Sequence, residues 1–180
     1  MAEITGGNTG SGKLAVRIEI LEKVRGMFAG RGSLRMNAAM GVVRAQVTFV
    51  VGDEEIFSHD VLLHRMSVDG WATGVEMLVE GKMGERKEVG VGVESPELEM
   101  RVVRRDLPDI PQFKDALPSY ELLVLVDSGA LNPEEDIAHE GPAMYLEPDA
   151  DRLVQFARDL RDETEQALTP RLFRKRGEKA

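Results

Sequence analysis

The sequence predicts a mainly β protein of the α+β class. An antiparallel meander forms a barrel or strongly curved sheet, and one C-terminal helix, residues 149–168, packs on it. Three observations predict this. Segments with every second residue apolar recur between Leu14 and Leu146. Turns rich in Gly, Asp and Pro separate them at short intervals. One stretch carries an unbroken helical stripe, and Pro170 ends it.

Residues 1–12 (MAEITGGNTGSG) read as a flexible leader because they are polar and rich in glycine. The first strand follows, with Leu14, Val16, Ile18 and Ile20 on one side and Ala15, Arg17 and Glu19 on the other. Residues 24–41 contain Gly26, Gly30, Gly32 and Gly41. Each glycine disfavours a helix interior by about 1 kcal/mol, so the segment reads as a long loop or arm. Residues 42–51 and 56–66 form a hairpin around Gly52-Asp53-Glu54-Glu55. After a turn at Val68-Asp69-Gly70, residues 71–80 alternate through Trp71, Thr73, Val75, Met77 and Val79 and read as a strand. Val89, Val91 and Val93, then Leu98, Met100 and Val102, give two more, making five strands between Val42 and Val103.

Residues 107–118 hold three prolines and connect. Residues 120–126 (YELLVLV) are apolar on both faces after Glu121, which predicts the most buried strand. Residues 127–141 form an acidic loop, and residues 143–146 a last short strand. In the helix, Asp149 or Asp151 can cap the N-terminus. Leu153, Phe156, Ala157, Leu160, Thr164, Ala167 and Leu168 share one face, and Arg158–Asp162 and Arg161–Glu165 are i, i+4 pairs. No internal repeat of fixed period is present. The organisation is thus a leader (1–12), a single β-rich domain (13–168) and a basic tail (169–180).

Composition bounds the function. A chain of 180 residues fits one domain, large enough to bury roughly 70% of its unfolded surface without staples. With no cysteine, thiolate metal sites, disulfides and a cysteine nucleophile are excluded. No apolar signal segment or membrane-length run occurs, which predicts a soluble, cytoplasmic protein with no membrane partner. The net charge of −9 is uneven. Residues 23–52 carry Lys23, Arg25, Arg31, Arg35 and Arg44 and no acid, residues 128–168 are strongly acidic, and residues 169–180 are basic. The acidic body makes nucleic acid an unlikely partner, because phosphate neutralisation needs clustered cations.

Two motifs suggest chemistry and lack its context. Gly7 to Lys13 (GNTGSGK) matches the start of a phosphate-binding loop. Leu14 stands where a hydroxyl residue is needed, and a strand pattern follows instead of a helix. His59 and His64 are five apart in a strand, hence on opposite faces, and His139 lies alone in a loop. The acidic loop lacks EF-hand spacing, with Gly129 and Leu131 where oxygen ligands belong. Trp71 reads as core. No catalytic, cofactor or metal residue is assigned.

The function expected is a non-catalytic protein-binding or assembly module, either inhibitor- or immunity-like or self-assembling. Its partner is another protein or a homo-oligomer. Methionine supplies adaptable contact surface and arginine is favoured at interfaces. The candidate contacts are therefore Met27, Phe28, Arg31, Arg35, Met36 and Met40 of the arm, Glu134, Glu135 and Asp136 of the acidic loop, and Arg174 and Arg176 of the tail. The alternative is a small-ligand carrier with an apolar barrel interior, for which Gly74, Gly90 and Gly92 would make room. An enzyme of unknown class ranks third.

Overall fold

The computed structural model describes residues 1–9, 12–24, 41–91, 98–106, 117–126 and 141–169. Its elements run β1 (Ala2–Thr9), β2 (Gly12–Lys23), β3 (Val42–Val51), β4 (Glu54–His64), α1 (Arg65–Val79), β5 (Glu88–Val91), β6 (Leu98–Arg105), β7 (Ser119–Val126), β8 (Ala143–Leu146) and α2 (Ala150–Leu168). Every sheet pairing is antiparallel. The strands form two open sheets, ordered β1-β2-β3-β4 and β5-β6-β7-β8, and no closed barrel is found among the described residues.

Four strands and a helix therefore occur twice in succession. The halves differ in strand length, with 8, 12, 10 and 11 residues in the first sheet and 4, 8, 8 and 4 in the second. That difference is why no fixed sequence period betrays the repeated order.

Two expectations are corrected here. The leader is a core strand: Ala2, Ile4 and Gly6 are buried in alternation, and Ala2 and Ile4 pair with Ile18 and Val16 of β2. A Cβ on Gly6 would lie 2.8 Å from the backbone of Glu147 and Pro148, so β1 meets the segment leading into α2 with no space for a side chain. The segment read as a strand over residues 71–80 belongs to helix α1. Val68, Trp71, Ala72, Val75 and Leu78 are its buried face, spaced by three and four. Thr73 and Met77, which completed the alternating pattern, are exposed. The stretch from Val42 to Val103 thus contains four strands and a helix, and Gly70 is a helical residue instead of a turn.

Helix α2 forms where the stripe places it. Asp149 caps it, its carboxylate accepting from the Arg152 N–H at 2.8 Å. Leu153, Phe156, Ala157, Leu160 and Thr164 are buried, and the Thr164 hydroxyl donates to the Leu160 carbonyl. The helices exchange sheets: α2 crosses β1, β2 and β3 of the first sheet, while α1 lies against β5 and β6 of the second as well as β4. Where α1 meets β5, a Cβ on Gly74 would fall 2.7 Å from Val89 Cγ1. One continuous core, which includes the buried side chains of both sheets and both helices, results.

The helices run antiparallel and are tied at two places. Arg65 donates to Glu165 at 2.6 Å, and Arg158 donates to Glu76 at 2.7 Å, with Arg161 3.5 Å from the same oxygen. Arg158, Arg161 and Glu165, expected to pair within their own helix, reach across to the other one. Among the described residues, no helix is long and apolar enough to cross a membrane.

Candidate functional site

The inner and outer faces of β7 explain why its sequence is apolar throughout. Tyr120, Leu122, Val124 and Val126 point into the core and are buried. Leu123 and Leu125 point the other way and are half-buried. Directly paired residues on neighbouring strands share a face. Leu123 pairs with Arg101 of β6 and Tyr145 of β8, Leu125 with Glu99 and Ala143, and Glu121 with Val103. The outer face of the second sheet therefore carries Leu123, Leu125, Ala143 and Tyr145 as one apolar stripe, while Val103 sits between Glu88 and Glu121. Tyr145 is 46% exposed at its edge.

Charges frame this stripe and are matched with each other. Arg101 lies between Glu99 (2.8 Å) and Glu88 (3.5 Å), and Arg105 is 3.0 Å from Glu121. The Arg105 hydrogen bond holds the Glu121 carboxyl below the ordinary glutamate range. Partial burial of the Tyr145 phenol, then its hydrogen bond to Glu121, push its pKa up to about 12. The neutral Tyr145 phenol is thus the donor to the Glu121 carboxylate.

The first sheet presents a different outer face. Glu3 pairs across to Arg17, Arg17 to Thr48, and Thr48 to Ser58. Arg17 is 2.6 Å from Glu3 and 3.6 Å from Glu55, and Arg44 is 3.1 Å from Glu22 and 3.8 Å from Asp60. Thr48 and Ser58 share a hydrogen bond of 3.2 Å. The same face also carries Ala15 and Val50, which pair with each other and, like Thr48, are buried.

The residues singled out from the sequence fall elsewhere. Met27, Phe28, Arg31, Arg35, Met36, Met40, Glu134, Glu135, Asp136, Arg174 and Arg176 all lie outside the described residues, as does His139. His59 pairs with Val47 and His64 with Val42, which puts the two histidines on opposite faces of the first sheet. His59 stacks beside Phe57 with ring centroids 6.1 Å apart, and His64 precedes α1. Asp60, its sequence neighbour, faces outward to Arg44. The motif from Gly7 to Lys13 spans the β1–β2 hairpin, where Thr9 pairs with Gly12, and β2 follows it. No group of three or more potential metal ligands occurs among the described residues.

No family model matches the chain. No curated protein matches it either. Among solved structures it is similar to the plant transcriptional regulator PBF-2, with 12% identity, a TM-score of 0.34, and coverage of 92% of this chain and 91% of that one. At that identity and score the likeness assigns no activity.

The stripe was visible in the sequence in one respect. Leu123 and Leu125 break the apolar-in, polar-out alternation expected of a sheet with one wet face. Without pairing partners this reads as burial on both sides. The register with Tyr145 and Ala143, which turns two leucines into a surface, is a tertiary fact.

Proposed function

We propose that this chain is a non-catalytic protein-binding or assembly module whose contact surface is the outer face of the second sheet. One observation carries the reading: Leu123, Leu125 and Tyr145 form an apolar centre framed by matched ion pairs. Protein interfaces have this anatomy, with an aromatic and aliphatic centre and a polar rim. The inhibitor-like and self-assembling forms of the module both use such a surface.

A photo-crosslinking residue at position 145 tests this in producing cells, with the same residue at Gln46 of the first sheet as control. The reading expects one adduct of defined mass from position 145, with its partner identified by peptide mapping, and none from position 46. The adduct should vanish when Leu125→Lys is added. Absence of any discrete adduct, or equal adducts from both positions, overturns the reading.

A further inference from the structure

We infer that the outer face of the second sheet docks a basic segment of another protein, which lays apolar side chains on Leu123, Leu125 and Tyr145 and sets lysine or arginine against the acidic row beside them. The inference rests on the reading of that face as a protein contact, and it names the chemistry of the partner.

Strand register lays the face out in rows. Arg101, Leu123 and Tyr145 stand in one row across β6, β7 and β8, and Glu99, Leu125 and Ala143 stand in the next. On the other side of the first row, Glu88, Val103 and Glu121 stand in line across β5, β6 and β7. Leu122 pairs with Leu146, so the same register carried one residue further brings Glu147 opposite Glu121. Glu147 is exposed, and its charge reaches Tyr145, where it adds to burial and Glu121 in raising the phenol. An apolar row thus borders a row of three carboxylates.

Charge is the first argument. On this face Glu88, Glu99, Glu121 and Glu147 share two guanidiniums. Arg101 serves Glu88 and Glu99, Arg105 serves Glu121, and Glu147 has no ion pair among the described residues. A second copy brings the same excess of acid on a chain of net charge −9 and is repelled. A cationic segment is attracted, and a charge placed between Glu121 and Glu147 relieves two like charges on neighbouring strands. Tyr145, 46% exposed beside them, offers a ring for the stem of that lysine or arginine.

Area is the second argument. The strands are 4, 8, 8 and 4 residues long. At about 3.3 Å per residue and about 4.8 Å per strand the face measures about 400 Å². That is about half of one side of a standard interface between folded proteins, which suits a single extended segment and a reversible contact. The outer face of the first sheet holds acids as well, but its apolar residues Ala15 and Val50 are buried, so it offers charge without an apolar centre.

The test is fluorescence anisotropy of labelled octapeptides titrated with the full chain. One alternates leucine and lysine, one leucine and glutamate, and one serine and lysine. The leucine–lysine peptide is expected to saturate at one per chain, roughly tenfold tighter than either of the others. Glu147→Lys should weaken it by roughly fivefold. Glu19→Lys makes the same charge change at an exposed site on the first sheet. At about 0.15 M salt screening should confine its effect to about twofold or less. Failure of the leucine–lysine peptide to saturate overturns the inference. So does equal binding of the serine–lysine or the leucine–glutamate peptide, or equal weakening by Glu147→Lys and Glu19→Lys. The position-145 crosslink separates the two claims. An adduct whose mapped contact peptide carries no lysine or arginine sinks the basic segment and keeps the contact surface. No adduct together with no peptide binding sinks both.

Discussion

The indole of Trp71 meets the ring of Phe156 edge-on, with centroids 6.0 Å apart and planes at 86°. One ring comes from each helix, and both are essentially buried. This pair sits where the two halves of the chain join. Phe156→Ala should destabilise the protein by about 3–5 kcal/mol. Trp71 is the sole tryptophan, so its emission reports that junction alone. Denaturation followed by fluorescence and by circular dichroism should give coincident transitions in the wild type. Separate transitions would show that the halves unfold independently.

Two glycines of α1, four residues apart, should respond oppositely to alanine. Nothing lies within 4 Å of a Cβ on Gly70, so Gly70→Ala should stabilise by about 0.5–1 kcal/mol through helix propensity. A Cβ on Gly74 would lie 2.7 Å from Val89 Cγ1 and 3.3 Å from Cγ2. Gly74→Ala should destabilise by about 1–3 kcal/mol despite the same propensity gain. Adding Val89→Ala removes the obstructing methyls, and a double-mutant cycle should show favourable coupling.

Gly6→Ala tests the role of β1. The added methyl would press on the backbone of Glu147 and Pro148, which cannot rotate away. A loss of roughly 1–3 kcal/mol is expected in urea denaturation. A neutral result would mean that the first residues contribute little to the fold.

Acid should loosen the link between the helices. Glu76 is held below its ordinary pKa, first by the Arg158 hydrogen bond and also by the Arg161 charge. A depressed carboxyl stabilises the folded state above its unfolded value, and the contribution is lost as pH falls through the folded value. Melting temperature measured downward from neutral pH should therefore drop more steeply below about pH 4.3 in the wild type than in Glu76→Gln.

Tyr145 provides a test at the alkaline end. Its raised pKa means that the neutral phenol is favoured in the folded state. The stabilisation is complete below the unfolded value of about 10 and is lost as pH rises through about 12. Burial also raises Tyr120, so ultraviolet titration of the native protein should show no phenolate forming at the ordinary value. Glu121→Gln should bring Tyr145 part of the way back, leaving the share due to burial.

Legibility from the sequence followed the strength of local signals. Helix α2 was readable to within a residue because its cap, stripe and terminating proline agree. β2 to β8 were readable from alternation and turns. Helix α1 was missed because Trp71, Val75 and Val79 satisfy a spacing of two as well as a helical spacing. The glycines at 70 and 74 argued against a helix, and only the approach of Val89 explains the second of them. β1 was missed because glycine in a tight crossing and glycine in a flexible leader look alike in one dimension. The apolar stripe on the second sheet was half legible, through Leu123 and Leu125, and needed the strand register to bring Tyr145 beside them.

The exchange of helices between sheets bears on how the protein emerges from the ribosome. The first four strands are complete at His64, yet the helix that covers their inner face does not begin until Ala150. During synthesis that greasy surface must wait, uncapped, for the rest of the polypeptide. The nascent chain should therefore depend on chaperone protection more than its modest size suggests. A gene cut between the two halves should yield fragments that aggregate alone and recover a native structure only when made together.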